Sequence, residues 1–404
     1  MLDREELAGY GESIGFRNIQ QAETDYLQHI ILSLLYSLPK SDRLLFKGGT
    51  ALQKLYSLDR FSVDLDFTTD LSDAEIKNML DEVNKRMKGY GIESSLDLSD
   101  LNKESIKKSV KESVKATFKM RGPIYASTSD LRSEATVRLD FSRREKALMK
   151  GVRKVITPPY RDLSPYSPMS MDPREILAEK FRAIMTRRKA RDAFDFDFLI
   201  MKGTDLFYNL VEKKMALYEK GGLRVDAFLK RIEGIEAKEW NREINDIAYV
   251  LGNAQGISQR RSFDAMLDRI KTYLRSILSF SISFDVAESS REIKNERGKT
   301  VYGSMHTFSD LYKEAGIEES GHSIYTNKAY DASISVPEVE GEGCLSLLFE
   351  VDGNEDSKPL PYYQEELVQK RRINEMHNVS FGLFIEKDCK VPDRIDIGLL
   401  LKNA

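Results

Sequence analysis

Several things are scarce in this sequence, and each scarcity closes off a class of protein. Among 404 residues there are 2 cysteines, Cys344 and Cys389. Two thiols cannot build the disulfide framework of a small secreted domain, so a reducing cytoplasm is the expected compartment. The 4 histidines, His29, His306, His322 and His377, are too scattered in sequence to form a zinc-type cluster. The single tryptophan, Trp240, is expected in a core. No apolar run reaches the roughly 20 residues that a membrane-spanning helix needs. The longest, Ile30 to Leu38, is broken by Ser33 and Ser37. The start, with Asp3, Arg4, Glu5 and Glu6, is unlike a secretory signal. Net charge is also low, at -3, but it is unevenly spread: residues 101–190 hold 22 Lys+Arg against 10 Asp+Glu, and residues 201–404 hold 28 against 34. Such a basic belt suits a polyphosphate or nucleic-acid partner; a solvated Lys-rich surface would look the same.

What is present is a chain that is 41% hydrophobic and long enough for more than one core. Tyr26, Ile30, Leu34 and Leu38 recur every fourth residue, which predicts a helix over 19–38. Asp42 to Phe46 leads into Lys47-Gly48-Gly49-Thr50, a turn that opens a second helix over 50–58. Phe61 to Phe67 alternates as a strand, with Phe61, Val63, Leu65 and Phe67 on one face and Ser62, Asp64 and Asp66 on the other. Ser72 and Glu75 form the capping box of a helix over 72–89. Short strands follow over 92–142, the last of them Ala135 to Asp140. Pro158, Pro159, Pro165 and Pro168 mark an irregular connector. Asp172 as N-cap, Pro173 at the first helical position and Glu175 as box partner start a helix that should run to about Ile200, with Gly203 as its stop. Residues 205–280 read as further helices. Beyond them Phe280–Phe284, Ser333–Val336 and Cys344–Val351 read as strands. The expected division is therefore a core over 1–170, a helical lobe over 171–280 and a C-terminal α+β domain over 281–404. There is no internal repeat.

Four features carry chemistry. Gly48-Gly49 before a helix lets backbone N–H groups approach a phosphate, with the helix N-terminus adding positive potential; alone, a Gly-Gly pair is only a turn. Asp64 and Asp66 follow Thr50 by 14 and 16 residues. Residues i and i+2 of a strand share a face, so the two carboxylates point the same way and repel unless a cation lies between them. Mg²⁺ or Mn²⁺ takes such a pair together with substrate phosphates. Asp140 ends a later strand, and would supply a third carboxylate, as metal ligand or as base, if that strand pairs with the Asp64 strand. On the helix from Asp172, the positions Lys180, Arg187, Arg191 and Asp195 lie within about 80° of one another. Two arginines and a lysine suit a triphosphate, although a helix laced with its own ion pairs has the same pattern.

Together these residues resemble the AbiEii/AbiGii toxin family of nucleotidyltransferases, minimal members of the DNA polymerase β-like superfamily. The resemblance rests on Phe46-Lys47-Gly48-Gly49-Thr50-Ala51-Leu52, on Arg60-Phe61-Ser62-Val63-Asp64-Leu65-Asp66-Phe67, on Lys180 and on Arg187-Arg188-Lys189-Ala190-Arg191-Asp192-Ala193-Phe194-Asp195. It covers roughly residues 20–200. It implies an α+β fold: a small mixed sheet flanked by helices, with a helical lobe after it. It also implies transfer of a nucleoside monophosphate from an NTP, with pyrophosphate released. Asp64, Asp66 and Asp140 would hold the metal, while Lys180 and Asp195 would join them in catalysis. The nucleotide would fall to Lys47, Gly48, Gly49, Thr50, Arg60, Ser62, Lys180, Arg187 and Arg191. Some relatives act on the 3′ end of tRNA, and such toxins lie beside an antitoxin. The expectation is thus a cytoplasmic, metal-dependent toxin that modifies tRNA or another RNA. A small-molecule transferase of the antibiotic-modifying type, or an NTP- or RNA-binding module without activity, would retain the same core. No membrane partner is expected.

Overall fold

The computed structural model describes residues 1–98, 113–126, 134–187, 189–216, 218, 225–236, 238, 240–242, 244, 262–285, 291–307, 330–335, 344–351, 360–361, 371–373, 379–386, 389 and 394–403. Two helices open the chain, α1 (Arg4–Ile14) and α2 (Ile19–Tyr36), the second capped by Asn18, which accepts from the Gln21 N–H. Strand β1 (Leu44–Lys47) runs directly into α3 (Gly48–Tyr56). Then come β2 (Leu65–Thr69), α4 (Asp73–Arg86), β3 (Glu93–Asp97), β4 (Ser113–Arg121), β5 (Ala135–Ser142), β6 (Val152–Arg153) and β7 (Met169–Ser170). The capping box foreseen at Ser72 and Glu75 is formed in both directions.

These strands make one mixed sheet in the order β3-β4-β5-β2-β1-β7-β6. Its inner face carries an aromatic ladder. Phe46 is in register with Phe67, and Phe67 with Phe141. Their ring centroids lie 5.6 and 5.1 Å apart. All three are buried, with Tyr26, Ile30 and Leu80 in the same apolar core. A one-residue slip would turn these rings to solvent, so burial of the ladder fixes the register of the face opposite.

The helical lobe comprises α5 (Pro173–Thr186), α6 (Ala190–Met201), α7 (Tyr208–Ala216), α8 (Val225–Glu233) and α9 (Phe263–Ser276). Phe181 stacks on Phe228 at 4.1 Å, and Trp240 lies fully buried near Phe194 and Phe263, in the core position its sequence suggested. Nine strands follow: β8 (Ile277–Asp285), β9 (Arg291–Lys294), β10 (Thr300–Thr307), β11 (Tyr330–Ser335), β12 (Leu345–Val351), β13 (Leu360–Pro361), β14 (Arg371–Ile373), β15 (Val379–Glu386) and β16 (Arg394–Asn403). They form a five-stranded sheet, β13-β12-β15-β10-β9, and a four-stranded sheet, β14-β11-β16-β8. Ile397, Leu399 and Leu400 of β16 share one apolar core with the helical lobe. Gly398 permits this approach, since a Cβ there would lie 2.3 Å from Asn209 Oδ1 on α7. The acidic stretch Glu338–Glu366 falls largely outside the described residues, as do residues 103–112 of the basic belt.

Three local expectations need correction, and one bond was not anticipated. The helix from Asp172 does not run unbroken to Ile200: it stops at Thr186, Arg187 is extended (φ -140°, ψ 150°), and α6 starts afresh at Ala190. The break lets Arg187 reach back to Asp192, and lets α6 pack its own acids against Lys180. Glu175 does not close a capping box. It is fully buried and accepts from the Leu148 and Met149 N–H groups, while Asp172 alone caps the helix. Regular strand begins only at Leu65, so Val63 is not on the buried face and is 48% exposed. Finally, the two cysteines are joined: Cys344 and Cys389 form a disulfide with Cα atoms 5.9 Å apart, because β12 and β15 pair and bring their flanking residues together.

Candidate active site

The glycine turn is shaped by what lies against it. Gly48 has φ +76°, a conformation that favours glycine, and a Cβ there would stand 2.3 Å from Asp66 Oδ2. A Cβ on Gly49 would stand 2.2 Å from the Arg60 guanidinium and 2.9 Å from Ser62 Oγ. Thr50, fully buried, donates its hydroxyl to the Asp64 carbonyl and so ties the helix to the strand that carries the acids. Lys47 occupies the N-cap position of α3 without providing a side-chain cap. The first N–H groups of that helix are thus left for an anion.

Across the sheet the carboxylates fall in one row. Lys47 is in register with Asp66, Asp66 with Asp140, and Asp140 with Lys115. These four sit on the face opposite the aromatic ladder, and β5 does pair with β2, in parallel. Asp64 lies two residues before Asp66. Neither the Asp64 nor the Asp66 carboxylate has an ion-pair or hydrogen-bond partner among the described residues. Burial pushes the Asp66 carboxyl up to about 6; Lys47 and Lys180 pull it down, and Asp140 and Asp64 add to the rise. Asp140 is engaged on its other side: Ser113 donates to it at 3.0 Å, and Lys115 is 4.0 Å away. Among the described residues, no group of three His, Cys, Asp or Glu side chains is placed to hold one metal ion.

Behind the row is a buried ionic layer. Asp195, fully buried, accepts two bonds from Arg60, at 2.6 and 2.7 Å, and faces Lys180 at 2.7 Å. Burial opposes its ionisation, but Arg60 and Lys180 outweigh that and hold the carboxyl below the usual range. Asp192, also fully buried, meets Lys180 at 3.2 Å and accepts from Arg187 at 2.8 and 3.1 Å. Lys180 and Arg187 are therefore anchored from behind while still within electrostatic reach of Asp66. Arg191 stands apart: it is exposed on α6 and has no ion pair among the described residues.

The sequence profile described as "Nucleotidyl transferase AbiEii toxin, Type IV TA system" matches residues 31–269, more than half of the chain and all of the site. The chain belongs to the AbiEii nucleotidyltransferase family. It is a nucleotidyltransferase enzyme of the toxin type. No curated protein sequence matches it. Among solved structures, it is similar to the MenT4 nucleotidyltransferase toxin of Mycobacterium tuberculosis H37Rv, with 18% identity over 66% of this chain and 90% of that one and a TM-score of 0.44. It is also similar to JHP933 of Helicobacter pylori, with 21% identity over 62% of this chain and 91% of that one and a TM-score of 0.36.

Three charged residues that contact the expected site residues are absent from the expectations built on sequence. Asp192 could have been found, since it lies three residues before Asp195 in the same charged run. Glu179, which pairs with Lys47 at 2.9 Å, is adjacent to Lys180 but reads as an ordinary helical glutamate. Lys214 gives no signal at all, because its partners Glu145, Glu175 and Glu179 are distant in sequence.

Proposed function

We propose that this nucleotidyltransferase moves a nucleoside monophosphate from an NTP to a 3′ hydroxyl of RNA, tRNA being the first acceptor to test, with a divalent cation at Asp64 and Asp66. The observation that carries the reading is the row Lys47–Asp66–Asp140–Lys115 beside an uncapped helix N-terminus. The residues present fit Mg²⁺ or Mn²⁺: two neighbouring carboxylates lack a cationic partner, and these metals need only one or two protein carboxylates when phosphate oxygens complete the shell. A bound divalent cation would supply charge neutralisation at the phosphates and acidify the attacking hydroxyl. The chain's own groups do the rest. The N–H groups at Gly48 and Gly49 receive phosphate oxygens, and Lys180 and Arg187 oppose the negative charge that builds on the leaving pyrophosphate. The acceptor oxygen bonds to the α-phosphorus as the bond to pyrophosphate breaks, and Asp140, next to Asp66 in the row, takes the hydroxyl proton.

An RNA acceptor is favoured over a small molecule by the open face of β4 and β5. Lys115, Lys119 and Arg138 are exposed there, on the same face as the carboxylate row. Phosphate contacts from such residues position a nucleic acid without reading its sequence. The family's description as a toxin–antitoxin component makes a cognate antitoxin the expected protein partner. Among the described residues, no helix is long and apolar enough to cross a membrane. A cytoplasmic site of action is part of the proposal.

The test is incubation of the protein with each labelled NTP and total tRNA, in parallel with aminoglycosides. Label in tRNA supports the reading, and label in the antibiotic favours the small-molecule alternative. Nucleotide binding without pyrophosphate release at any Mg²⁺ concentration would sink both. Asp64→Ala and Asp66→Ala should each abolish transfer while leaving the circular dichroism spectrum unchanged.

A further inference from the structure

Lys47 does not make the ion pair that its place in the sheet invites. It stands directly opposite Asp66 on an antiparallel strand, and opposed charges of unlike sign on one sheet face ordinarily attract. Its ammonium instead lies 2.9 Å from Glu179 Oε1, and no ion pair joins it to Asp66. Glu179 enters from α5 and is 8% exposed, so its alignment is fixed by packing rather than by chance contact at a surface. The same oxygen accepts from Lys214 at 3.2 Å. Lys214, with 1% of its side chain exposed, is held in turn by Glu175 at 2.7 Å and Glu145 at 3.0 Å. An alternating chain of charges thus crosses from the helical lobe to the last residue before the glycine turn. Burial opposes the charge on Glu179, but Lys47, Lys214 and Arg182 outweigh it and hold the carboxyl well below the usual range.

We infer that Glu179 is a positioning residue that holds the Lys47 ammonium off Asp66, leaving the Asp64–Asp66 pair open to a divalent cation. This rests on the metal-dependent reading above. The physical reason is competition. An ammonium seated on a carboxylate neutralises it and occupies the oxygen that a hard cation would take. Lys47 needs no backbone movement to do this, since its strand already sets it beside Asp66. The opposing pull of a buried, ionised Glu179 keeps the ammonium at the other end of its reach, where it can still attract a phosphate entering above Gly48.

The test is direct Mn²⁺ titration of the full chain, followed by the electron paramagnetic resonance signal of the free ion, with no nucleotide present. Four proteins are compared: wild type, Asp66→Asn, Glu179→Gln and the double variant Lys47→Met/Glu179→Gln. Glutamine keeps the volume of Glu179 and an oxygen for Lys214 while removing the charge that holds Lys47. Wild type should bind and Asp66→Asn should not. Glu179→Gln should bind about tenfold more weakly, the scale of one partly buried charge contact. The double variant should recover at least wild-type affinity, because the competing ammonium is gone. Unchanged affinity in Glu179→Gln overturns the inference. Weak binding that persists in the double variant overturns it too, by tracing the loss to a disturbed fold. If wild type fails to bind Mn²⁺, or Asp66→Asn binds as well as wild type, the metal reading itself has failed and the role of Glu179 falls with it.

Discussion

Replacing Gly48 with alanine should inactivate the enzyme out of proportion to the stability it costs. Two penalties act at this position. The backbone has φ +76°, where a β-carbon costs about 1–2 kcal/mol. The added carbon would also lie 2.3 Å from Asp66 Oδ2, 3.1 Å from its Cγ and 3.2 Å from its Cβ, where ordinary contact starts at 3.4 Å. The carboxylate must therefore retreat by roughly 1 Å, and a displacement of that size at a reacting centre costs on the order of 100-fold in rate. That is about 2.7 kcal/mol of barrier. Gly91 provides the control. Its φ is +72°, and an added Cβ meets nothing within 4 Å, so Gly91→Ala isolates the backbone penalty. Urea unfolding should show similar destabilisation of the two variants, about 1–2 kcal/mol each. Pyrophosphate release at saturating NTP should fall about 100-fold in Gly48→Ala alone. Equal rates in the two variants would refute the claim that Asp66 depends on its seat against Gly48.

Asp195→Asn should destabilise the fold by about 3–5 kcal/mol in urea, because it leaves Arg60 and Lys180 buried without their shared counter-charge. A loss below about 1 kcal/mol would show that water reaches this layer. Phe67→Ala removes the middle ring of the aromatic ladder and should cost about 3–5 kcal/mol by the same assay. Glu23 predicts a pH dependence. Burial pushes its carboxyl up to about 7, against the opposing Ile124 N–H and Arg4, whereas the unfolded group ionises near 4.5. Between those values the folded state keeps a proton that the unfolded state has lost, so stability falls as pH rises through the window. Glu23→Gln should match wild type at pH 4 and exceed it by about 2–3 kcal/mol at pH 8, and equal stability at both would contradict the assignment.

The parts of the site legible in the sequence are those set by local periodicity. The alternation from Leu65 to Phe67 gave the buried face behind Asp66, the double glycine gave the turn, and Ser72 with Glu75 gave a helix start. Each depends on residues within one element, where backbone geometry fixes direction. Asp64, by contrast, lies before the strand, and its shared face with Asp66 does not follow from strand geometry. The missed features depend on side-chain pairings between separate elements, the longest of them across more than 100 residues. The pairing of Lys47 with Glu179 spans 132 positions, and that of Arg60 with Asp195 spans 135. The break at Arg187 belongs with them: its charged run reads as one amphipathic helix, and only the burial of Asp192 and Asp195 against Lys180 makes two helices the better solution. Val63 misled for a related reason. Alternation predicts a face, but it does not say where the sheet begins.

The span of the Arg60–Asp195 bond bears on when the enzyme becomes dangerous to the cell that makes it. The glycine turn and the first two acids leave the ribosome early, yet the guanidinium packed beneath Gly49 cannot meet Asp195 until that residue has emerged as well. Contacts so far apart in the chain form late, after the loop between them has closed. A nascent or truncated fragment ending before α6 would carry Asp64 and Asp66 without the carboxylate that accepts both bonds from Arg60. Full bracing of the glycine turn therefore needs the chain through residue 195, which is most of the region the family profile matches.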